Sequence, residues 1–253
     1  MLWILEDIET LDPEAVLRFL PAISEPRRAR VLSLTHGPAR VRSILAELLL
    51  RHALRAEYGL RSLPRLETGE KGKPFFPDRP DLQFSLSHCQ TAVACALAPA
   101  PVGVDVQEVR PLRRAARPLA AASDDAAPRR DGTLPSAPPV YRILSEPERA
   151  WVEAGETPAE QDRRFTAVWT CKEAYGKALG VGFHYDLRST CFLPETETWR
   201  QYDTSFLHLS REAYELTLCA ASALSIQTLT PSDLMDAAER LGMDGPLTQY
   251  EEY

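Results

Sequence analysis

Apolar and polar positions alternate along this chain with two different periods. Leu2-Trp3-Ile4-Leu5 is an unbroken apolar run of strand length. A short helix follows from Asp12, with Pro13 at its first position and Glu14 in its first turn. Ser24–Leu32 reads as a short basic helix. A longer helix is predicted from about Pro38 to Tyr58, ending at Gly59. In it Val41, Ile44, Leu45, Leu48, Leu49 and Leu54 keep helical spacing, and Arg42 lies at the edge of the stripe. The period then falls to two. Phe84-Ser85-Leu86-Ser87-His88 alternates as a strand, and Ala92–Leu97 and Val102–Val106 read as buried strands.

Between 111 and 140 both periods disappear. This stretch holds six Pro, eight Ala and no aromatic residue, too little to bury, and a loop or disordered segment is expected. Ser145-Glu146-Pro147-Glu148 is a helix start. A second long helix runs from about Gln161 to Leu179, stopped by Gly180 and Gly182. Thr190–Leu193, Ser205–Leu209 and Tyr214–Ala220 are predicted strands. A last helix near Ser232–Leu241 takes Ser232 as its N-cap, and the polar tail to Tyr253 is expected to fray. Helices and antiparallel strands recur on both sides of the Pro/Ala-rich stretch. The chain therefore reads as α+β, with an N-terminal part (1–108), a loop (109–140) and a C-terminal part (141–253).

Composition narrows the function. The chain has 253 residues, 44% hydrophobic and 26% charged, with net charge −7, which disfavours a nucleic-acid coat. No apolar run is long enough to span a membrane, and the N-terminus is acidic from Glu6 with no basic leader region, so no secretory signal is expected. Five cysteines, an odd number without CxxC spacing, read as reduced thiols of a cytoplasmic protein rather than a zinc site. Two counts add more. There are 25 Arg but only four Lys, and these form two clusters, Lys71/Lys73 and Lys172/Lys177. From Arg18 to Lys73 there are 12 basic and five acidic residues, a local +7 that leaves −14 on the rest. A basic segment in an acidic protein points to a compact anionic ligand.

Three segments carry candidate chemistry. In Gly103-Val104-Asp105-Val106-Gln107-Glu108, Asp105 and Gln107 share one face of a strand and Glu108 takes the other. A carboxylate among valines needs a cation or hydrogen bonds. It is either a metal ligand at a strand end or a turn cap. In Trp169-Thr170-Cys171-Lys172-Glu173-Ala174-Tyr175-Gly176-Lys177, Glu173 and Lys177 are four apart on a helix and share a face. That pair is either a surface ion pair or a carboxylate for a hard cation beside an ammonium for phosphate. Ser87-His88 and Lys71/Lys73 supply further phosphate donors, and Arg27, Arg30 and Arg42 extend a basic patch unless they form a solvated face. Neither GxGxxG nor GxxxxGK[ST] occurs, so an ordinary nucleotide-binding kinase or dehydrogenase is disfavoured; GxSxG is missing too.

Together these segments resemble the surfactin-type (Sfp-type) 4′-phosphopantetheinyl transferases. Gly72-Lys73-Pro74, Phe84–His88, Gly103-Val104-Asp105 and Trp169–Glu173 with Lys177 occur in that family's order, and the likeness covers roughly residues 1–225. Each motif alone is weak, whereas four in order are specific. The resemblance implies a pseudo-dimeric fold of two similar α+β halves, with coenzyme A and Mg²⁺ in the cleft between them. It implies transfer of the phosphopantetheine arm to a serine of an apo acyl or peptidyl carrier protein, with release of 3′,5′-ADP. Carried over residue by residue, Asp105 and Glu173 would ligate Mg²⁺ and Lys177 would contact the pyrophosphate. Lys73, Ser87, His88, Arg42, Arg27 and Arg30 would hold the 3′-phosphoadenosine end. Glu173 would take the serine proton, directly or through a metal-bound water. A monomer is expected, because both halves of the cleft lie in one chain.

Two departures stand out. Many relatives have an acidic residue where this chain has Gln107, so two protein carboxylates are expected, with Gln107 a direct or water-mediated metal ligand. The stretch at 111–140 is longer than the family's usual connection, and either tunes carrier choice or is a tolerated insertion. Two other functions fit the same residues: a coenzyme A-binding protein of this fold without catalysis, and a metal-dependent nucleotide phosphohydrolase.

Overall fold

A computed structural model describes residues 1–112, 142–182 and 184–240. The Pro/Ala-rich stretch from 113 and the C-terminal tail lie outside the described residues, and with them the expectations made for them.

Two four-stranded sheets form the framework. The first contains β1 (Leu2–Leu5), β4 (Gln83–His88), β5 (Val93–Ala98) and β10 (Ile226–Leu229), in the order β10-β1-β5-β4. The second contains β6 (Val102–Glu108), β7 (Thr198–Gln201), β8 (Thr204–Ser210) and β9 (Tyr214–Ala220), in the order β6-β9-β8-β7. β2 (Glu67–Thr68) and β3 (Pro74–Phe75) form a small separate ribbon. β1 runs antiparallel to β5 and parallel to β10, while the second sheet is antiparallel throughout.

The alternation within the strands sets the layers. Leu2, Ile4, Ala94 and Ala96 from the first sheet meet Val102, Val104, Val106, Leu216 and Leu218 from the second in one shared apolar core. The opposite face of the first sheet, with Leu5, Phe84 and Val93, packs against helix α3 (Gly37–Tyr58). The opposite face of the second sheet is covered by helix α5 (Pro158–Leu179). The result is helix, sheet, sheet, helix, with a 22-residue helix on each outer side. Both long helices end where glycine permits a left-handed turn, Gly59 at φ 68° and Gly180 at φ 70°. The other helices are α1 (Pro13–Leu17), α2 (Glu25–Ser33), α4 (Glu146–Glu153) and α6 (Pro231–Arg240).

Several elements differ from the sequence reading. α5 begins at Pro158, capped by the Thr157 side chain accepting from Glu160 N, rather than at Gln161. Thr230, not Ser232, caps α6: its hydroxyl accepts from Asp233 N, and the Asp233 carboxylate accepts from Thr230 N. Thr190–Leu193 is not a strand. The carbonyls of Leu187 and Thr190 accept from the Lys172 ammonium, and Phe192 N donates to Glu148, so side chains take the bonds a neighbouring strand would have made. Finally, β10 and α6 return to the first sheet and to α3, with Leu234, Met235 and Ala238 in the N-terminal core. The chain thus crosses the division between 1–108 and 141–253.

Candidate active site

The inner face of β4 meets the free edge of β6, and there side chains stand in for a strand. Alternate backbone groups of β6 point away from β9 and require partners. Val104 N donates to Ser85 Oγ (3.0 Å) and Val106 N to Ser87 Oγ (3.2 Å). The carbonyl of Val102 accepts from Lys73 Nζ (3.1 Å) and that of Val104 from Lys177 Nζ (3.0 Å). Two serines and two lysines therefore close this edge, and their polar groups gather beside Asp105.

Asp105 is buried. Its Oδ1 accepts from Ser87 Oγ at 2.8 Å and from Lys177 Nζ at 2.7 Å. Its Oδ2 is buried without a partner among the described residues. Glu173 lies one turn before Lys177 on α5 and is half-buried. Its carboxyl is pushed up to about 7, first by burial and then by the charge of Asp105, with Lys177 acting in the opposite direction. This close approach depends on Gly103. A Cβ there would lie 2.0 Å from the carbonyl oxygen of Ala174 and 2.5 Å from Ala178 N, so only glycine lets α5 lie directly on β6. The register of α5 is further fixed by polar bonds beneath it. Thr170 Oγ1 meets Thr217 Oγ1 at 2.8 Å, and Thr217 in turn meets His208 Nδ1 at 2.9 Å.

This donor set suits a hard divalent cation. Asp105 has an orphaned carboxylate oxygen, a second carboxyl lies close enough to feel its charge, and Mg²⁺ takes oxygen ligands of this kind. Gln107 lies on the same strand face two residues along and is half-buried, and its amide makes no hydrogen bond among the described residues. The described residues contain no cluster of three or more His, Cys, Asp or Glu side chains that could hold a metal.

A cluster of cationic side chains adjoins the carboxylates. His88 ends β4 with its side chain accessible, yet its pKa is lowered, first by lost solvation and then by the charges of Arg42, Lys177 and Arg27, against a backbone hydrogen bond that raises it. Arg42 on α3 has no ion pair among the described residues. Arg27 on α2 is held down in pKa by burial and, less strongly, by Arg30, while Glu47 acts to raise it. Arg30 itself is exposed.

The expected residues thus divide. Asp105, Glu173 and Lys177 come together, as do His88, Arg42 and Arg27, with Lys177 common to both groups. Ser87 and Lys73 make contacts within the protein. The Ser87 hydroxyl, expected among the phosphate donors, gives its one proton to Asp105. The Lys73 ammonium, expected among the nucleotide cations, lies on the carbonyls of Val102 and Ala178 (3.4 Å), which it supplies with a donor. Burial there lowers its pKa to about 8. Lys172 is fully buried against Glu148 at 2.9 Å and belongs to the core. Sequence reasoning missed Ser85 and Glu47. The Ser-x-Ser alternation of β4 and an acid inside the apolar stripe of α3 were the available signals.

Two neighbouring carboxyl groups, an ammonium bonded to one of them and the cationic side chains around His88 make up the candidate site. The 4′-phosphopantetheinyl transferase superfamily matches residues 101–222, which include β6, α5 and the strands between them and Ala220. The chain is 25% identical to a 4′-phosphopantetheinyl transferase of Bacillus subtilis, over 81% of its own length and 84% of that protein's. It is 28% identical to the 4′-phosphopantetheinyl transferase Sfp of Bacillus subtilis strain 168, over 71% and 70%. With the 4′-phosphopantetheinyl transferase AcpT of Escherichia coli K12 it shares 32% identity, over 57% and 60%. The chain is thus similar to the Sfp-type 4′-phosphopantetheinyl transferases and is an enzyme of the transferase class.

Proposed function

We propose that this enzyme moves the 4′-phosphopantetheine arm of coenzyme A to a serine hydroxyl of an apo carrier protein, with Mg²⁺, releasing 3′,5′-ADP. The observation that carries this reading is the Asp105–Lys177–Glu173 constellation beside the cluster of cationic side chains. In the reaction the serine oxygen forms a bond to the β-phosphorus of coenzyme A, and the bond from that phosphorus to the bridging pyrophosphate oxygen breaks. The leaving group is the phosphate end of 3′,5′-ADP, and the serine gives up one proton.

Each residue has a separate task. Arg42, Arg27, His88 and the exposed Arg30 bind the 3′-phosphoadenosine end. Lys177 uses two of its three N–H donors on Val104 and Asp105, leaving the third for a pyrophosphate oxygen. There it stabilises the charge that builds on the leaving group. Ser87 orients Asp105, and Lys73 holds β6 to the end of α5. Asp105 and Glu173, with Gln107 beside them, would hold Mg²⁺, which supplies charge neutralisation on the pyrophosphate. Glu173 is the candidate acceptor of the serine proton, directly or through a water. With both halves of the site in one chain, a monomer acting in the cytoplasm suffices.

The test is to mix protein, coenzyme A, Mg²⁺ and an apo carrier protein and to weigh the carrier. A gain of one phosphopantetheine is the expected result. Breakdown of coenzyme A with an unchanged carrier would instead establish a phosphohydrolase, and binding without either would establish a non-catalytic protein. A panel of carriers then defines the pathway served.

A further inference from the structure

Glu47 is a carboxylate in the wrong place for an ordinary helix. It sits on α3 within the apolar stripe and is only 1% exposed. Burying an ionised carboxylate is costly unless every oxygen is paired. Here both oxygens are. Oε1 accepts from Ser24 N (2.6 Å) and from Arg51 Nε (3.0 Å) and Nη2 (2.9 Å). Oε2 accepts from Ser24 Oγ (2.7 Å) and faces Arg27 Nε at 3.7 Å.

These contacts do more than bury a charge. Ser24 is the N-cap of α2, yet its hydroxyl makes no capping bond to its own helix and turns to Glu47 instead. The start of α2 is therefore anchored on α3. One turn into α2 comes Arg27, whose Nε faces the same carboxylate, while its terminal nitrogens make no hydrogen bond among the described residues. Those nitrogens belong to the side chain whose charge reaches His88. Arg51 alone would suffice to neutralise Glu47, so the contacts to Ser24 and Arg27 are the informative ones.

We propose that Glu47 is a positioning residue for coenzyme A binding: it fixes α2 on α3 and aims the guanidinium of Arg27 into the cationic cluster with His88 and Arg42. The inference rests on the functional reading above, in which that cluster takes the 3′-phosphate. Arginine binds phosphate through a planar fork, so its aim matters as much as its charge.

The test uses Glu47→Gln, Ser24→Ala, Arg27→Ala and the double variant Arg27→Ala/Glu47→Gln in the full chain, assayed well below their melting temperatures. Steady-state transfer is measured along with calorimetric binding of 3′,5′-ADP. Glu47→Gln should raise KM for coenzyme A about tenfold, weaken 3′,5′-ADP to a similar degree and affect kcat far less. Ser24→Ala, which leaves the buried charge intact, should shift KM in the same direction by a smaller factor. It keeps the test open if Glu47→Gln folds poorly. In the Arg27→Ala background, Glu47→Gln should change KM by less than about twofold, because its route to the ligand is gone. A Glu47→Gln protein with lowered melting temperature but unchanged KM and 3′,5′-ADP affinity would overturn the inference. So would an undiminished Glu47→Gln effect in the Arg27→Ala background, or an Arg27→Ala protein with normal affinity. Failure of the functional reading looks different: the unmodified protein would leave the carrier mass unchanged.

Discussion

The ammonium of Lys177 lies 2.7 Å from Oδ1 of Asp105 and 3.0 Å from the carbonyl of the residue before it, so one lysine grips a strand by both backbone and side chain. Lys177→Met should therefore remove two things at once. Asp105 would keep only the Ser87 hydroxyl, and the pyrophosphate would lose its ammonium. Loss of one electrostatic stabiliser of this kind lowers kcat by about 10²–10³-fold. Carrier labelling followed by mass would show a fall of that size, with a smaller change in KM for coenzyme A.

Gln107→Glu tests the acidic donor set. A third carboxylate on the Asp105 face of β6 adds a hard, charged ligand where the chain has a neutral amide. Transfer should persist, and the Mg²⁺ concentration giving half-maximal rate should stay the same or fall. Complete loss of transfer in this variant would contradict the placement of the metal.

His88 predicts a pH dependence of binding. Lost solvation and the charges of Arg42, Lys177 and Arg27 lower its pKa, so the free protein holds it neutral at pH 7. A bound phosphate dianion favours the protonated ring and raises that pKa. Binding should then take up a proton, and affinity should fall as pH rises through the window between the free and bound values. Calorimetry in two buffers of different ionisation enthalpy would reveal the uptake for 3′,5′-ADP, and His88→Gln should abolish it.

Lys172 and Glu148 predict an effect on stability. Both side chains are 0% exposed, and the ammonium also bonds the carbonyl of Thr190 at 2.8 Å. Removing one partner of a buried pair costs about 3–5 kcal/mol. Urea denaturation of Lys172→Met should show a loss of that order. The double variant Lys172→Met/Glu148→Gln should recover part of it, because no uncompensated charge remains.

The legible parts of the fold were those governed by local rules. α3 and α5 announce themselves through apolar spacing and the glycines that stop them, and β4, β5 and β6 through alternation and short apolar runs. β10 did not, because Ile226–Leu229 is mostly exposed and finds its partner in β1 at the far end of the chain. Within the site, spacing singled out Asp105, Glu173 and Lys177 as candidates, while their roles came only from the family resemblance. Lys172 was misleading because it adjoins Glu173 in sequence, yet at five residues from Lys177 it points to another side of the helix. The tasks of Ser87 and Lys73 depend on the β4–β6 junction, where tertiary register decides which backbone groups need partners.

The return of β10 to β1 bears on how substrates enter. Sheets that share a buried core, with a strand from beyond the second laid along the first, cannot swing apart like jaws without tearing both pairing and packing. On the proposed function, coenzyme A then meets sheets whose spacing is already set, and among the described residues adjustment falls to side chains such as those of Arg42, His88 and Lys177.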